Sequence, residues 1–360
     1  MRGVRKGLLM ADPAHMRFHN IQALRGVAVL AVVLFHLASV ELKYGGGGTL
    51  LPNWMDFGQF GVDLFFVISG FVMMVVTHDR TNRSAATVFL VHRITRIYPL
   101  YWFYSILLLM VYFVHPAWVT GSQDRSIDIT ASFLLLPQEG YPLLSVGWTL
   151  VHEMYFYLVF FAIVWLTPVG RRMYAVAVWL LCVLAAYFGL GVDTPVMRVI
   201  ASPLTTEFMM GCLIARYALS ARVSGAKNPW LIPALALIIS VPAYLYYRDV
   251  TGSVGPAGWW RILLFGMPAA LVVWWAVHAE RSGVLFTTLL RRIGDASYST
   301  YLTHILTLAL LGKLWARFSG PGLLDNLIML PTLLLIALMV GAYSYRYVER
   351  PMLEACRRWM

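Results

Sequence analysis

Residues 25–36 read RGVAVLAVVLFH, an apolar run with one ionisable side chain at each end. An α-helix turns about 100° per residue, so the eleven steps from Arg25 to His36 come to three turns plus roughly 20°. Both side chains therefore share one face, about 16 Å apart along the axis. Ionisable groups in a segment suited to hydrocarbon are costly and usually face a bundle interior or a watery cavity. On spacing alone, a snorkelling arginine and a histidine satisfied by a neighbouring helix remain an open alternative.

Composition sets the class around that helix. Of the 360 residues, 60% are hydrophobic and only 12% charged, and the mean hydropathy is +0.70. Soluble domains carry about 25% charged residues, so the sequence predicts a multi-pass membrane protein with little room for a soluble domain. The net charge of +11 sits in short connections, where Lys and Arg set topology. No basic domain supports a nucleic-acid partner. Cys182, Cys212 and Cys356 lie far apart, and the chain has no HExxH pair, so no metal or redox site is expected. The N-terminal MRGVRKGLLMADPAH is basic but lacks a signal-peptide core. It reads as a cytoplasmic tail, residues 1–21.

A spanning helix needs about 20 mainly apolar residues. That rule places helices at 22–42, 60–77, 98–114, 147–166, 173–190, 199–218, 230–247, 259–278, 298–316 and 326–347. The fold class is an all-α bundle of about ten transmembrane helices. Twenty of the 28 Lys and Arg fall in one alternate set of connections and seven in the other, which predicts that both termini are cytoplasmic. The longest external loop, 115–146, holds the apolar run Phe133 to Leu136 before Pro137. The run is too short to span, so it dips into the bundle or lies on its rim.

Helix rise then gives depths. His36 falls about 9 Å from the outer face, Asp63 about 5 Å and Glu153 about 9 Å. The sequence thus predicts one outer cavity shared by His36, Asp63 and Glu153, with a carboxylate orienting the imidazole for proton transfer. On the cytoplasmic side, HRITRIY at 92–98 carries Arg93 and Arg96 on one face. Their forks suit phosphate oxygens, and Arg25 lies at the same level. Simple positive-inside anchoring is the other reading. His304 falls about 9 Å from the inner face and reads as substrate-binding or structural. Glu207 lies near mid-membrane. His152 points away from its neighbour Glu153. Ser69 has no nucleophile elbow and reads as close packing with Gly70.

Several motifs resemble the acyltransferase-3 superfamily of integral membrane O-acyltransferases. They are IQALRGVAVLAVVLFH at 21–36, FGVDLFFVISGFVM at 60–73, FLVHRITRIYPLYW at 89–102, GWTLVHEMYFY at 147–157, IGDASYSTYLTH at 293–304 and VERP at 348–351. The order is the family's, and the FFVISGFVM form is most similar to the branch that O-acetylates exopolysaccharide or O-antigen sugars. By resemblance the arginine–histidine hallmark maps to Arg25 and His36, the cytoplasmic RxxR to Arg93 and Arg96, and the tryptophan and glutamate to Trp148 and Glu153. Gly147 stands where the family usually has serine.

The resemblance implies a transmembrane acyltransferase domain over 22–348, a cytoplasmic tail over 349–360 and no appended SGNH hydrolase domain. It implies a multi-pass protein of the inner (cytoplasmic) membrane. It implies transfer of a short acyl group, acetyl first among them, from acyl-CoA to a hydroxyl of a cell-surface or exported carbohydrate. Arg25, Arg93 and Arg96 would hold the donor's phosphates. His36 would take the hydroxyl proton or carry the acyl group, with Asp63 or Glu153 orienting it. Trp148 and His304 would be substrate-binding or structural. Acyl-CoA, a carbohydrate or lipid-linked glycan, and membrane lipids are the expected partners, with no resident cofactor. The rival class is a transporter or flippase for a lipid-linked or anionic substrate.

Overall fold

The computed structural model describes residues 18–45, 48–78, 83–120, 127–189, 191–220, 231–318 and 322–358. Most of the tail at 1–21, the basic connection 221–230 and two of the four glycines at 45–48 lie outside them. Among the described residues ten long helices form the bundle: α1 His19–Tyr44, α2 Phe60–Thr77, α3 Arg83–Val114, α4 Gly147–Leu166, α5 Arg172–Gly189, α6 Thr205–Leu219, α7 Leu231–Thr251, α8 Met267–Arg281, α9 Ser297–Phe318 and α10 Leu323–Ser344. Each overlaps one of the ten expected segments. Eight helical segments among the described residues are long and apolar enough to cross a membrane by themselves. The other two are α6, which has only 15 residues, and α9, whose first turns carry Ser, Tyr, Thr and His.

Two boundaries differ in ways that matter. Helix α3 begins at Arg83, not near 98, and runs through Pro99. A proline inside a helix removes one hydrogen bond, but membrane bundles tolerate it because neighbouring groups re-satisfy the freed carbonyl. Arg93 and Arg96 are therefore fixed on the same rigid rod as Tyr98, Tyr101 and Trp102. At the other end of the chain, a π-helical stretch Tyr345–Glu349 leads into a helix Arg350–Arg358. The expected boundary at 348/349 falls inside that stretch, and Glu349 is buried.

Glycine contacts bring helix axes together. A Cβ at Gly70 would sit 1.9 Å from Phe208 O, and one at Gly211 only 2.0 Å from Val67 O. Helices α2 and α6 thus meet backbone to backbone, as small residues permit in membranes. Helix α1 meets the short helix Thr288–Asp295 in the same way. A Cβ at Gly26 would lie 2.3 Å from Leu290 O, and one at Gly294 1.9 Å from Gln22 O. From that crossing α1 and α9 run on together. His36 lies ten residues beyond Gly26 and His304 ten beyond Gly294, and the two histidine rings meet at 5.0 Å.

The loop before α4 does enter the bundle. It forms a short helix Ile129–Leu134, N-capped by the Asp128 side chain, with Leu135 in the left-handed region at φ 54°. The last carbonyls of such a helix have no partner within it. Here α3 supplies them: Tyr101 OH donates to Ser132 O at 2.7 Å, Trp102 Nε1 to Phe133 O at 2.8 Å and Tyr98 OH to Leu134 O at 2.9 Å. Tyr101 lies thirteen residues before the end of α3, about 20 Å along its axis. Gly147, the first residue of α4, packs against the same ring, since a Cβ there would sit 3.2 Å from Tyr101. Helix α4 therefore starts deep in the bundle.

Candidate active site

Two cavities lie end to end inside the helices. The first is narrow, about 100 Å³, and is lined by Arg25, Ser69, Arg93, Arg96, Glu153, Tyr157 and Tyr298 among others. Helix α1 supplies Arg25, α3 supplies Arg93 and Arg96, and α4 supplies Glu153 and Tyr157. The three arginines expected together are brought together. Arg93 lies over the rings of Phe89 and Tyr157, and its buried Nε has no hydrogen-bond partner. Arg96 lies over Tyr298 and 3.7 Å from Glu349. Glu349, the glutamate of VERP, also accepts from Ser299 Oγ at 2.6 Å.

Glu153 belongs to this cavity and not to the outer layer where depth counting placed it. Ser69 Oγ donates to its Oε1 at 3.0 Å and Tyr157 OH donates to the same oxygen. Depth counted from the membrane surface fails here because α4 begins beside Tyr101, well inside the bundle. Ser69 is correspondingly more than packing: Gly70 makes the close contact and Ser69 the hydrogen bond.

The second cavity, about 710 Å³, is lined by His36, Gln59, Glu139, Tyr141, Trp148, Arg261 and Tyr301 among others. It has the size of a small-molecule site. His36 is half-buried there, and Trp148 on α4 shares the space with it. Arg261 lies over the Trp148 ring, 5.9 Å from its centroid. Glu139 pairs with Arg198 on the rim. His304 touches His36, contrary to its expected place near the inner face. The parallel run of α1 and α9 from the Gly26–Gly294 crossing puts the two histidines at one level. His152 packs edge-on to Trp148, with ring centroids 5.9 Å apart.

Asp63 does not orient His36. Its two oxygens accept from Arg261 Nε and the second terminal nitrogen, both at 2.8 Å. Glu207 on α6 is buried beside this pair in space left by Gly266, and neither of its oxygens has a hydrogen-bond partner among the described residues. Arg261 is one of the seven Lys and Arg of the smaller set of connections, and a count of charges by connection says nothing about which carboxylate a cation meets. The missing signal was electrostatic: two fully buried carboxylates on α2 and α6 demand a cation nearby.

This trio predicts a coupling. Asp63→Asn alone leaves Glu207 to pair with Arg261, and Glu207→Gln alone leaves Asp63. The double variant orphans a buried guanidinium, so its loss in melting stability should exceed the sum of the singles by about 0.5–3 kcal/mol. Thermal unfolding of the four proteins in detergent measures it, and simple additivity would show that the two carboxylates do not share Arg261.

The acyltransferase-3 family model, described as an acyltransferase domain, matches residues 18–346. The chain belongs to this family. The match covers both cavities and every helix of the bundle. The exopolysaccharide production protein ExoZ of Rhizobium meliloti is 30% identical over 83% of this chain and 91% of its own length. Acyltransferase MdmB of Streptomyces mycarofaciens is 25% identical over 96% of this chain and 94% of its own. O-acetyltransferase OatA of Staphylococcus aureus is 22% identical over 92% of this chain but 56% of its own. No solved structure matches the chain. Family membership and the apolar helices together make this a multi-pass membrane acyltransferase-3 protein.

Proposed function

We propose that the chain is an O-acyltransferase moving a short acyl group, acetyl first among them, from acyl-CoA to a hydroxyl of an exported or cell-surface carbohydrate. The observation that carries this reading is that the two cavities share the wall residues Val62 and Tyr301. Arginines line one side of that wall and a histidine the other. The arginine cavity is too narrow for a nucleotide but suits a thin chain. Arg25, Arg93 and Arg96 would hold phosphate oxygens at its mouth, with the pantetheine arm directed at Tyr301. The 16 Å between Arg25 and His36 suits such an arm. The wider cavity, with Trp148 and Tyr141 beside Gln59 and Glu139, suits a sugar ring.

In the transfer, the acceptor oxygen attacks the thioester carbonyl carbon and a C–O bond forms. The hydroxyl proton passes to His36. The C–S bond breaks, and coenzyme A leaves as a thiolate that takes up the proton. The likeness to an exopolysaccharide production protein and an O-acetyltransferase supports a carbohydrate acceptor. The bias of Lys and Arg supports ten spans with both termini in the cytoplasm and a place in the inner membrane.

The protein in nanodiscs, given acetyl-CoA and envelope carbohydrate, should release free coenzyme A and yield an acetylated glycan by mass spectrometry. Absence of acyl-CoA binding, together with movement of a lipid-linked glycan across a liposome membrane, would replace this reading with a flippase.

A further inference from the structure

We propose that His304 is the positioning residue for His36, accepting a hydrogen bond from its ring so that the other His36 nitrogen is free to take the acceptor's proton. The inference deepens the acyl-transfer reading and rests on it. His304 is wholly buried on α9. Its Nδ1 lies 3.2 Å from Thr300 O. A carbonyl only accepts, so Nδ1 carries the hydrogen, and a neutral ring then has its lone pair on Nε2. That Nε2 is buried with no partner, and leaving an acceptor so is unfavourable.

The His36 ring lies nearer to His304 than the Tyr301 ring does. The ring centroids are 5.0 Å apart and the planes are tilted by 50°. That separation leaves about one hydrogen-bond length between facing nitrogens. The His36 ring turns about a broad torsion in a half-buried setting, and a small turn brings its N–H onto the His304 lone pair. Competing partners are taken. The Tyr301 ring lies 5.7 Å from His304, but its hydroxyl is engaged with Thr149 Oγ1 at 2.8 Å and Val146 O at 3.2 Å. Asp63 is held by Arg261, and Glu153 by Ser69 and Tyr157. A neutral histidine thus stands where general-base chemistry usually has a carboxylate, and fixes which His36 nitrogen is basic.

The test uses the full chain in nanodiscs with histidine labelled with nitrogen-15, comparing wild type, His304→Leu and His304→Gln. In wild type the His36 ring should show one tautomer with a hydrogen-bonded N–H. In His304→Leu it should become a mixture, and in His304→Gln, whose amide oxygen can accept, one tautomer should return. With acetyl-CoA and envelope carbohydrate, kcat in His304→Leu should fall at least about tenfold, part of the 10²–10⁴-fold a general base contributes. KM for acetyl-CoA should stay unchanged, and Gln should recover most of kcat. Unaltered His36 signals in His304→Leu, or equal loss in Leu and Gln, would overturn the assignment. Tautomer coupling without any acetyl-CoA turnover in wild type would instead overturn the acyl-transfer reading.

Discussion

His36→Ala is expected to lower acyl transfer by about 10²–10⁴-fold, the contribution of a positioned general base, while the protein still folds and still binds acyl-CoA. The histidine is half-buried and lines the wider cavity, and no hydrogen bond from another described residue reaches its ring. Its loss removes a proton acceptor without orphaning a partner charge, so folding should be little affected. The measurement is coenzyme A release against enzyme concentration, with melting temperature as control. Near-wild-type turnover in a folded variant would return His36 to a bundle contact.

The second large effect is on donor affinity. Arg93→Ala with Arg96→Ala should weaken acyl-CoA binding by roughly 10²-fold or more, each fork to phosphate being worth about 1.5–3 kcal/mol. Lysine at both positions should restore only part, since it lacks the bidentate geometry. Calorimetry in nanodiscs reads the affinity directly. The two positions differ in a useful way. Arg96→Ala leaves Glu349 buried without its arginine and should also lower the melting temperature, whereas among the described residues no ion pair joins Arg93 to a carboxylate and its buried Nε has no hydrogen-bond partner. Unchanged affinity in the double variant would leave both arginines as topology anchors.

These expectations show what was legible in the sequence. Hydropathy marked out the helical segments, of which eight among the described residues are long and apolar enough to cross a membrane, and helical spacing put Arg93, Arg96 and Arg25 at one level, where the structure gathers them. Three things were not legible. The starting level of α4 depended on a loop whose carbonyls are bound by Tyr98, Tyr101 and Trp102, and no count from the membrane surface finds that. The facing of Asp63 depended on helix rotation, which depth does not fix. The meeting of His36 and His304 depended on the Gly26–Gly294 crossing, a contact between segments more than 250 residues apart in the chain.

The bonds between α3 and the loop ahead of α4 amount to a built-in ruler. Arg96 and Tyr101 are five residues apart on one rod, and Tyr101 sets where α4 begins, so the same rod fixes the height of Glu153 opposite the arginines. A single residue inserted between Arg96 and Tyr101 would slide the two marks by about 1.5 Å and swing them by about 100°. Every side chain would survive, yet guanidinium and carboxylate would no longer face one another. Among relatives, the length of this stretch should therefore vary less than the identity of the residues filling it.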